Sequence, residues 1–204
     1  MSTKRRAALA IFASGSGSNA ERLMQESHSM DSSFRVALVV GNNSAARVMT
    51  LAAMYDIPTA HISSKTHPDE TERDAALLQV LEEHDIELIA LAGYMKKLPE
   101  AVTQKFARRI LNVHPALLPK YGGHGMFGHH VHAAVLEAGE SETGVTIHYV
   151  NEEYDAGAII AQERVSVLAD DDVDALAARV LAVEHELYPR IVKQIAAELP
   201  NDAV

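Results

Sequence analysis

Short apolar runs alternate with helical patterns through the first part of this chain, and that alternation is the strongest constraint on its fold. Ala7 to Ala13 is continuously apolar, and Phe34 to Val40 is apolar apart from one arginine. Runs of this kind are typical of parallel strands covered on both faces. A glycine-containing turn and a helical pattern follow each run. Because alternating strands and helices place helices over both faces of a parallel sheet, the sequence predicts an α/β protein.

The later patterns extend this arrangement. Further predicted strands are Thr59 to Ile62, Glu87 to Ala92 and Ile110 to His114. The predicted helices are Ala20 to Gln25, Pro68 to His84, Pro99 to Ala107 and Gly128 to Ala138. One more helix is predicted to be capped by Ser44 and to end at Met54. Gly144 to Val150 and Ala158 to Val167 are predicted to pair as a hairpin, and alternation in the first of them predicts one less buried face. Asp170 to Asp172 should cap a last helix through Ala197, which Pro189 should kink or break.

Together these elements predict one domain over residues 1–204, since no repeat, low-complexity tract or linker interrupts them. The predicted fold class is α/β: a Rossmann-like, mostly parallel twisted sheet flanked by helices, with an antiparallel C-terminal hairpin.

Composition excludes several classes of function. The chain has 204 residues and no cysteine, which excludes disulfides, thiolate zinc sites and a cysteine nucleophile. A formal net charge of −10 argues against binding to a nucleic-acid backbone. No apolar run approaches the roughly 18 residues that suggest a membrane span. We therefore expect a cytoplasmic protein that binds neither nucleic acid nor membranes, and a small anionic ligand is compatible with this charge. Composition leaves the oligomeric state, monomer or homodimer, open.

Ser14 to Asn19 (SGSGSN) forms a glycine-rich turn between the first predicted strand and helix, with Ser18 or Asn19 as the candidate helix cap. Backbone N–H groups at such a position favour an anion, so the motif predicts a phosphate site. A dinucleotide site would also need an acid after the second strand, where Gly41 to Asn43 stand instead. A single phosphate group is therefore favoured over NAD. The alternative is a tight turn without a ligand.

Asn112 and His114 lie two apart at the end of the fifth predicted strand. Alternation places both side chains on one face, at the carboxyl end where open α/β sheets bind ligands. An amide and an imidazole there can polarise a carbonyl-type oxygen, and the imidazole can transfer a proton. Asp155, in the turn of the later hairpin, can reach the same end and keep His114 protonated or order a water. A structural histidine and an ordinary Asp-Ala-Gly turn are the alternatives.

Five of the eleven histidines fall between Leu111 and Val135. His129 and His132 would share a helix face, but their spacing does not match H-E-x-x-H, and His124 and His130 add no standard ligand pattern. We therefore predict no metal and favour a histidine-rich substrate loop.

Taken in order, several motifs resemble the phosphoribosylglycinamide formyltransferase family, the folate-dependent formyltransferases of purine synthesis. They are Ser14 to Asn19, Leu91 to Met95, Asn112 to Tyr121 and Tyr154 to Gly157, and Glu184 to Pro189 is also similar. The Asn-x-His-Pro-x-Leu-Leu-Pro motif is specific to folate-dependent formyl transfer and hydrolysis enzymes. The resemblance covers nearly the whole chain.

This resemblance implies transfer of the formyl group of 10-formyltetrahydrofolate, a co-substrate, to the amine of glycinamide ribonucleotide, by direct attack and without a metal. It implies that Asn112 and His114 bind the formyl oxygen and that Asp155 sets the protonation of His114. By the same resemblance, the ribonucleotide phosphate and ribose would be held by Gly17, Ser18, Asn19 and Glu184, and the folate by Met95, Lys96, Lys97, Leu98 and Asn112.

Gly122 to His130 departs from the short turn common in that family, so the contacts of this loop stay unassigned. Arg73, the only arginine in the region where some members use one for folate, is also unassigned. The alternative functions are a formyltetrahydrofolate hydrolase, which usually has another residue where Pro115 stands, and a methionyl-tRNA formyltransferase, which usually carries a further tRNA-binding domain. A non-catalytic nucleotide- or folate-binding module is the alternative from another class.

Overall fold

A computed structural model describes residues 5–200, which form seven strands and six helices. Residues 1–4 and 201–204 of the predicted domain lie outside the described residues. The strands are β1 (Ala7–Ala13), β2 (Phe34–Gly41), β3 (Thr59–His61), β4 (Leu88–Leu91), β5 (Ile110–His114), β6 (Glu142–Tyr149) and β7 (Ile159–Ser166). The helices are α1 (Ser18–Ser27), α2 (Arg47–Met54), α3 (Glu70–Glu83), α4 (Glu100–Lys105), α5 (His129–Glu137) and α6 (Val173–Glu198).

All seven strands lie in one sheet, in the order β3-β2-β1-β4-β5-β6-β7. Strands β1 to β5 pair in parallel, whereas β6 pairs antiparallel with both β5 and β7. The predicted fold class, including the antiparallel hairpin, is confirmed. The carboxyl ends of β1, β4 and β5 therefore lie side by side at one edge of the sheet.

The core consists of two apolar clusters, one on each face of the sheet. Leu9 and Ile11 of β1 belong to the cluster that contains residues of α1, α2 and α6. Ala8, Ala10 and Phe12 belong to the cluster formed with α3 and α4. Both faces of β1 are buried, which is why its sequence is apolar without alternation.

The helix starts differ from the predicted ones because backbone geometry caps two of them. α1 is capped by Gly17 in the left-handed region (φ 74°), not by the side chain of Ser18 or Asn19. A Cβ on Gly17 would lie 2.7 Å from Cβ of Val48, so the loop also needs glycine for its close approach to α2. α2 begins at Arg47 without a side-chain cap, so the predicted Ser44 cap is wrong. α3 is capped by Asp69, whose carboxylate accepts from the Glu72 N–H at 3.0 Å.

Two predictions in the last third of the chain are wrong. β6 is buried on both faces except at its ends, because Val145 and Ile147 belong to the first apolar cluster and Thr146, on the opposite face, is covered by the backbone of Ala116 and Leu118. α6 runs from Val173 to Glu198 as one helix, so the predicted break at Pro189 is wrong. Buried side chains on both sides of the proline, including Tyr188 and Ile191, pack into the core and hold the helix in place.

Candidate active site

A cleft of about 510 Å³ opens at the carboxyl edge of the sheet. Of the predicted site residues, all but one line it: Ser18, Asn19, Met95, Lys96, Lys97, Leu98, Asn112, His114, Asp155 and Glu184. The exception is Gly17, which lies between two residues of the lining, Ser16 and Ser18. The structure thus brings together residues that are far apart in the chain, such as Asn19 and Glu184, which are 165 positions apart.

Asn112, His114 and Asp155 meet at the end of β5. The first two lie on the same side of the strand, as alternation predicts, and both border the cleft. Oδ2 of Asp155 lies 3.6 Å from Nδ1 of His114. The imidazole of His114 is almost fully buried, with a side-chain exposure of 4%. This places an amide, an imidazole and a carboxylate around one buried point of the cleft.

The hydrogen bonds of His114 define the roles of its two nitrogens. Nε2 lies 2.8 Å from the carbonyl oxygen of Tyr121, which can only accept, so Nε2 carries a proton. Nδ1 faces Asp155 and is the nitrogen that can take up or release a proton. Burial lowers the pKa of His114 below its usual value, and the charge of Asp155 opposes this without outweighing it. Asp155 therefore favours the protonated form of His114, as expected, but burial still leaves the pKa of His114 below its usual value.

Asp155 is held in place by its own turn and by the loop that follows β5. Its Oδ2 accepts from the Gly123 N–H at 2.9 Å. Burial raises the pKa of Asp155, but His148, the Gly123 N–H and His114 more than offset this and leave the pKa below its usual value. Two residues on, a Cβ on Gly157 would lie 1.7 Å from the Tyr149 carbonyl oxygen. The turn therefore keeps an ionised carboxylate against His114 and requires glycine at 157.

His148 belongs to the same cluster, although the sequence did not indicate it. It lies opposite Asn112 in the antiparallel pairing of β5 and β6. Its Nδ1 donates to the carbonyl oxygen of Tyr149 at 2.9 Å, and its Nε2 lies 3.1 Å from Nδ2 of Asn112. Nε2 is also 3.6 Å from Asp155. Asn112 is thereby oriented and retains one N–H of Nδ2 for a ligand. Only the strand register reveals this contact.

At one end of the cleft the glycine loop meets α6. Nδ2 of Asn19 donates to Oε2 of Glu184 at 2.5 Å. Glu184 is buried, with 7% of its surface exposed. Burial raises the pKa of Glu184 to about 7, against the opposing effect of Asn19. This end offers backbone N–H groups together with a carboxyl group that can accept hydrogen bonds from hydroxyls.

The other end is formed by the segment after β4. The Met95 N–H donates to Oγ of Ser14 at 2.9 Å, which ties this segment to the glycine loop. Met95 is 52% exposed and Tyr154, across the cleft, is 49% exposed. Lys96 and Lys97 add positive charge here. An apolar, flat ligand with an anionic tail would match these side chains.

The histidine-rich loop does not converge on one point. His124 contacts the ring of Tyr154, His130 contacts Phe127, and His129 lies 3.5 Å from Asp174. His132 is buried, and burial lowers its pKa to about 4. Within residues 5–200, no group of three histidine, aspartate or glutamate side chains is arranged to hold a metal ion. Within the same range, no helix has the length and apolar character needed to cross a lipid bilayer.

Comparison with known proteins gives one consistent family. Residues 7–192 match the family described as formyl transferase. The chain is 42% identical to the chloroplastic phosphoribosylglycinamide formyltransferase of Arabidopsis thaliana, over 95% of this chain and 67% of that protein. It is 37% identical to phosphoribosylglycinamide formyltransferase of Haemophilus influenzae, over 91% of this chain and 85% of that protein.

Solved structures agree with these relatives. The crystal structure of phosphoribosylglycinamide formyltransferase from Bacillus halodurans superposes with a TM-score of 0.87 at 36% identity, covering 96% of this chain and 98% of that one. The resemblance drawn from the sequence motifs is confirmed, and the chain belongs to the formyl transferase family.

Proposed function

We propose that this protein transfers the formyl group of 10-formyltetrahydrofolate to the amine of glycinamide ribonucleotide, a step of purine biosynthesis. The observation that carries the proposal is the grouping of Asn112, His114 and Asp155 in the lining of the cleft. On one side the glycine loop and Glu184 suit a phosphate and a ribose; on the other Met95 to Leu98 suit the folate. The two substrates would meet at the buried trio.

The reaction follows from these positions. The amine attacks the formyl carbon, a C–N bond forms, and the carbonyl electron pair moves onto oxygen. The free N–H of Asn112 and a proton at Nδ1 of His114 stabilise that oxyanion. The intermediate then breaks its bond to N10 of the folate, which takes up a proton while the former amine loses one. Asp155 stabilises the positive charge on His114 while the oxyanion exists.

The proposal is tested with purified protein, glycinamide ribonucleotide and 10-formyltetrahydrofolate. The expected result is tetrahydrofolate and formylated ribonucleotide in equal amounts, and neither product when the ribonucleotide is omitted. Tetrahydrofolate formed at the same rate without ribonucleotide would identify a hydrolase. Binding of both ligands without turnover would identify a binding module.

A further inference from the structure

A positively charged side chain lies against the glycine loop, outside the residues assigned so far. Arg47 is the first residue of α2. Its Nη1 donates to the carbonyl oxygen of Ser16 at 3.1 Å, and its Nη2 pairs with Oε2 of Glu21 at 3.1 Å. The side chain is 55% exposed, so the guanidinium is docked on the loop while one side stays open to solvent.

Packing between the loop and α2 places this side chain. Gly17 approaches Val48 so closely that a Cβ on the glycine would lie 2.7 Å from Cβ of Val48. The Val48 N–H also donates to the carbonyl oxygen of Gly15 at 3.3 Å. The backbone of Arg47 is thus fixed by contacts that its neighbour makes with the loop. Any anion held by the loop lies within reach of α2's first side chain.

The charges around the glycine loop favour a cation at the position of Arg47. Among the described residues, the positively charged lysine or arginine side chains that line the cleft are Lys96 and Lys97. Both follow β4, in the segment proposed to bind the folate. Glu21, in the first turn of α1, places a negative charge close to the N–H groups that would hold a phosphate. The guanidinium of Arg47 offsets that charge, and three of its five N–H donors are not used by Ser16 and Glu21.

We infer that Arg47 binds the phosphate of the ribonucleotide and makes the protein selective for a phosphorylated substrate. This inference rests on the proposed function, which places the phosphate at Gly17 to Asn19. The fork of the guanidinium matches two phosphate oxygens, and a charge-assisted bond of this kind is stronger than one from a neutral donor. Backbone N–H groups orient the phosphate, and Arg47 supplies the compensating charge.

The test compares two substrates, glycinamide ribonucleotide and its dephosphorylated form, glycinamide riboside. For Arg47→Ala, kcat/KM for the ribonucleotide should fall about 10- to 100-fold, chiefly through KM, as expected for loss of a charge-assisted bond. The value for the riboside should change less than about twofold, because that substrate lacks the group that Arg47 binds. Arg47→Lys, which keeps the charge but not the fork, should lose less. An equal fall for both substrates, or no fall for either, would overturn the inference.

Arg22→Ala is the matched control. Arg22 is an arginine of α1 whose Nη1 donates to Gln25 at 3.3 Å, whereas Arg47 donates to Ser16 in the glycine loop. In Arg22→Ala, kcat/KM should be unchanged for both substrates. A selective loss of ribonucleotide turnover in Arg22→Ala equal to that in Arg47→Ala would show that general surface charge, not Arg47, is responsible.

The Glu21→Gln background separates phosphate binding from simple neutralisation of Glu21. If Arg47 binds phosphate, Arg47→Ala should still raise KM for the ribonucleotide about fivefold or more in that background. No effect there would overturn the inference.

Calorimetric titration with ribose 5-phosphate tests the site without turnover. Weaker binding by Arg47→Ala than by the unmutated protein supports the inference even if no formyl transfer is found. Equal binding by the two proteins overturns it.

Discussion

At the scale of single residues, burial and charge shift the pKa values of the ionisable groups of the cleft in different directions. The pKa of Asp155 lies below its usual value, that of Glu184 is raised to about 7, and that of His114 is lowered. The two carboxyl groups of the cleft therefore have different protonation states at neutral pH. Asp155 is an anion beside His114, and Glu184 exchanges its proton near the working pH.

Asp155→Asn should lower both turnover and the pKa of His114. The aspartate charge raises that pKa against the effect of burial, so removing the charge should shift the imidazole titration to lower pH. Loss of support for the oxyanion-binding histidine should reduce kcat by about 10²-fold or more. NMR titration of the imidazole and steady-state kinetics measure the two effects. Asp170→Asn, an exposed carboxyl outside the cleft, is the control; an unshifted His114 titration in Asp155→Asn would refute the proposed coupling.

Glu184→Gln should change how stability depends on pH. Because the folded-state pKa of Glu184 is raised, the folded protein binds this proton more tightly than the unfolded chain does. The stabilisation is fully present below about 4.5, the ordinary value, and is lost as the pH rises through about 7. Relative to Glu184→Gln, the unmutated protein should lose on the order of 3 kcal/mol between pH 5 and pH 8.

Urea unfolding at several pH values measures this difference. Glu186→Gln, an exposed glutamate on the same helix, should leave the pH dependence unchanged. Parallel stability curves for Glu184→Gln and the unmutated protein would contradict the raised pKa.

At the scale of elements, the turn after β6 carries Asp155, and its close backbone packing keeps the carboxylate in place. The Gly157 position touches the backbone of Tyr149 at the end of β6. Asp155 itself has a positive φ of 53°, a left-handed conformation that aspartate tolerates better than most residues. The geometry of the proposed catalytic residues therefore depends on Gly157, which has no side chain.

Gly157→Ala should weaken both the fold and the activity. The added Cβ would lie 1.7 Å from a carbonyl oxygen, so the turn must shift, at a cost of about 1–3 kcal/mol. The displaced Asp155 should reduce kcat by more than the loss of stability explains. Gly15→Ala is the control for stability, because no atom lies within 4 Å of the added Cβ. A normal melting temperature and kcat for Gly157→Ala would show that the turn tolerates a side chain.

The strands and the Asn112–His114 pair could be predicted because both depend on local periodicity. The start of α1 could not, since Asn19 contributes its side chain to Glu184, 165 residues later, and Gly17 caps the helix instead. The burial of β6 and the role of His148 depend on which strands pair, and a single strand's pattern does not contain that information. The continuity of α6 depends on tertiary packing that outweighs the local effect of proline.

At the scale of the whole molecule, both apolar clusters share one sheet, and α6 joins the first of them. No part of the described chain has a core of its own apart from this sheet. The cleft is therefore coupled to global stability, and a ligand that binds it stabilises the entire fold.

Calorimetry should show a single thermal transition whose calorimetric and van't Hoff enthalpies agree. Ribonucleotide at about 100 times its Kd should add about 2.7 kcal/mol and raise Tm by roughly 5–10 °C. The non-phosphorylated riboside at the same concentration is the control and should raise Tm less. Two resolved transitions, only one of which responds to ligand, would contradict the single cooperative unit.

The position of α6 in the chain has a consequence for how the protein is made. Asn112, His114 and Asp155 have all been synthesised by residue 155, but Glu184 belongs to the helix that follows every strand. A nascent chain from which α6 is still missing therefore lacks part of the first apolar cluster and one wall of the cleft. If the ribonucleotide binds between the glycine loop and Glu184, as proposed, it cannot bind until α6 has emerged, and it cannot assist the early steps of co-translational folding.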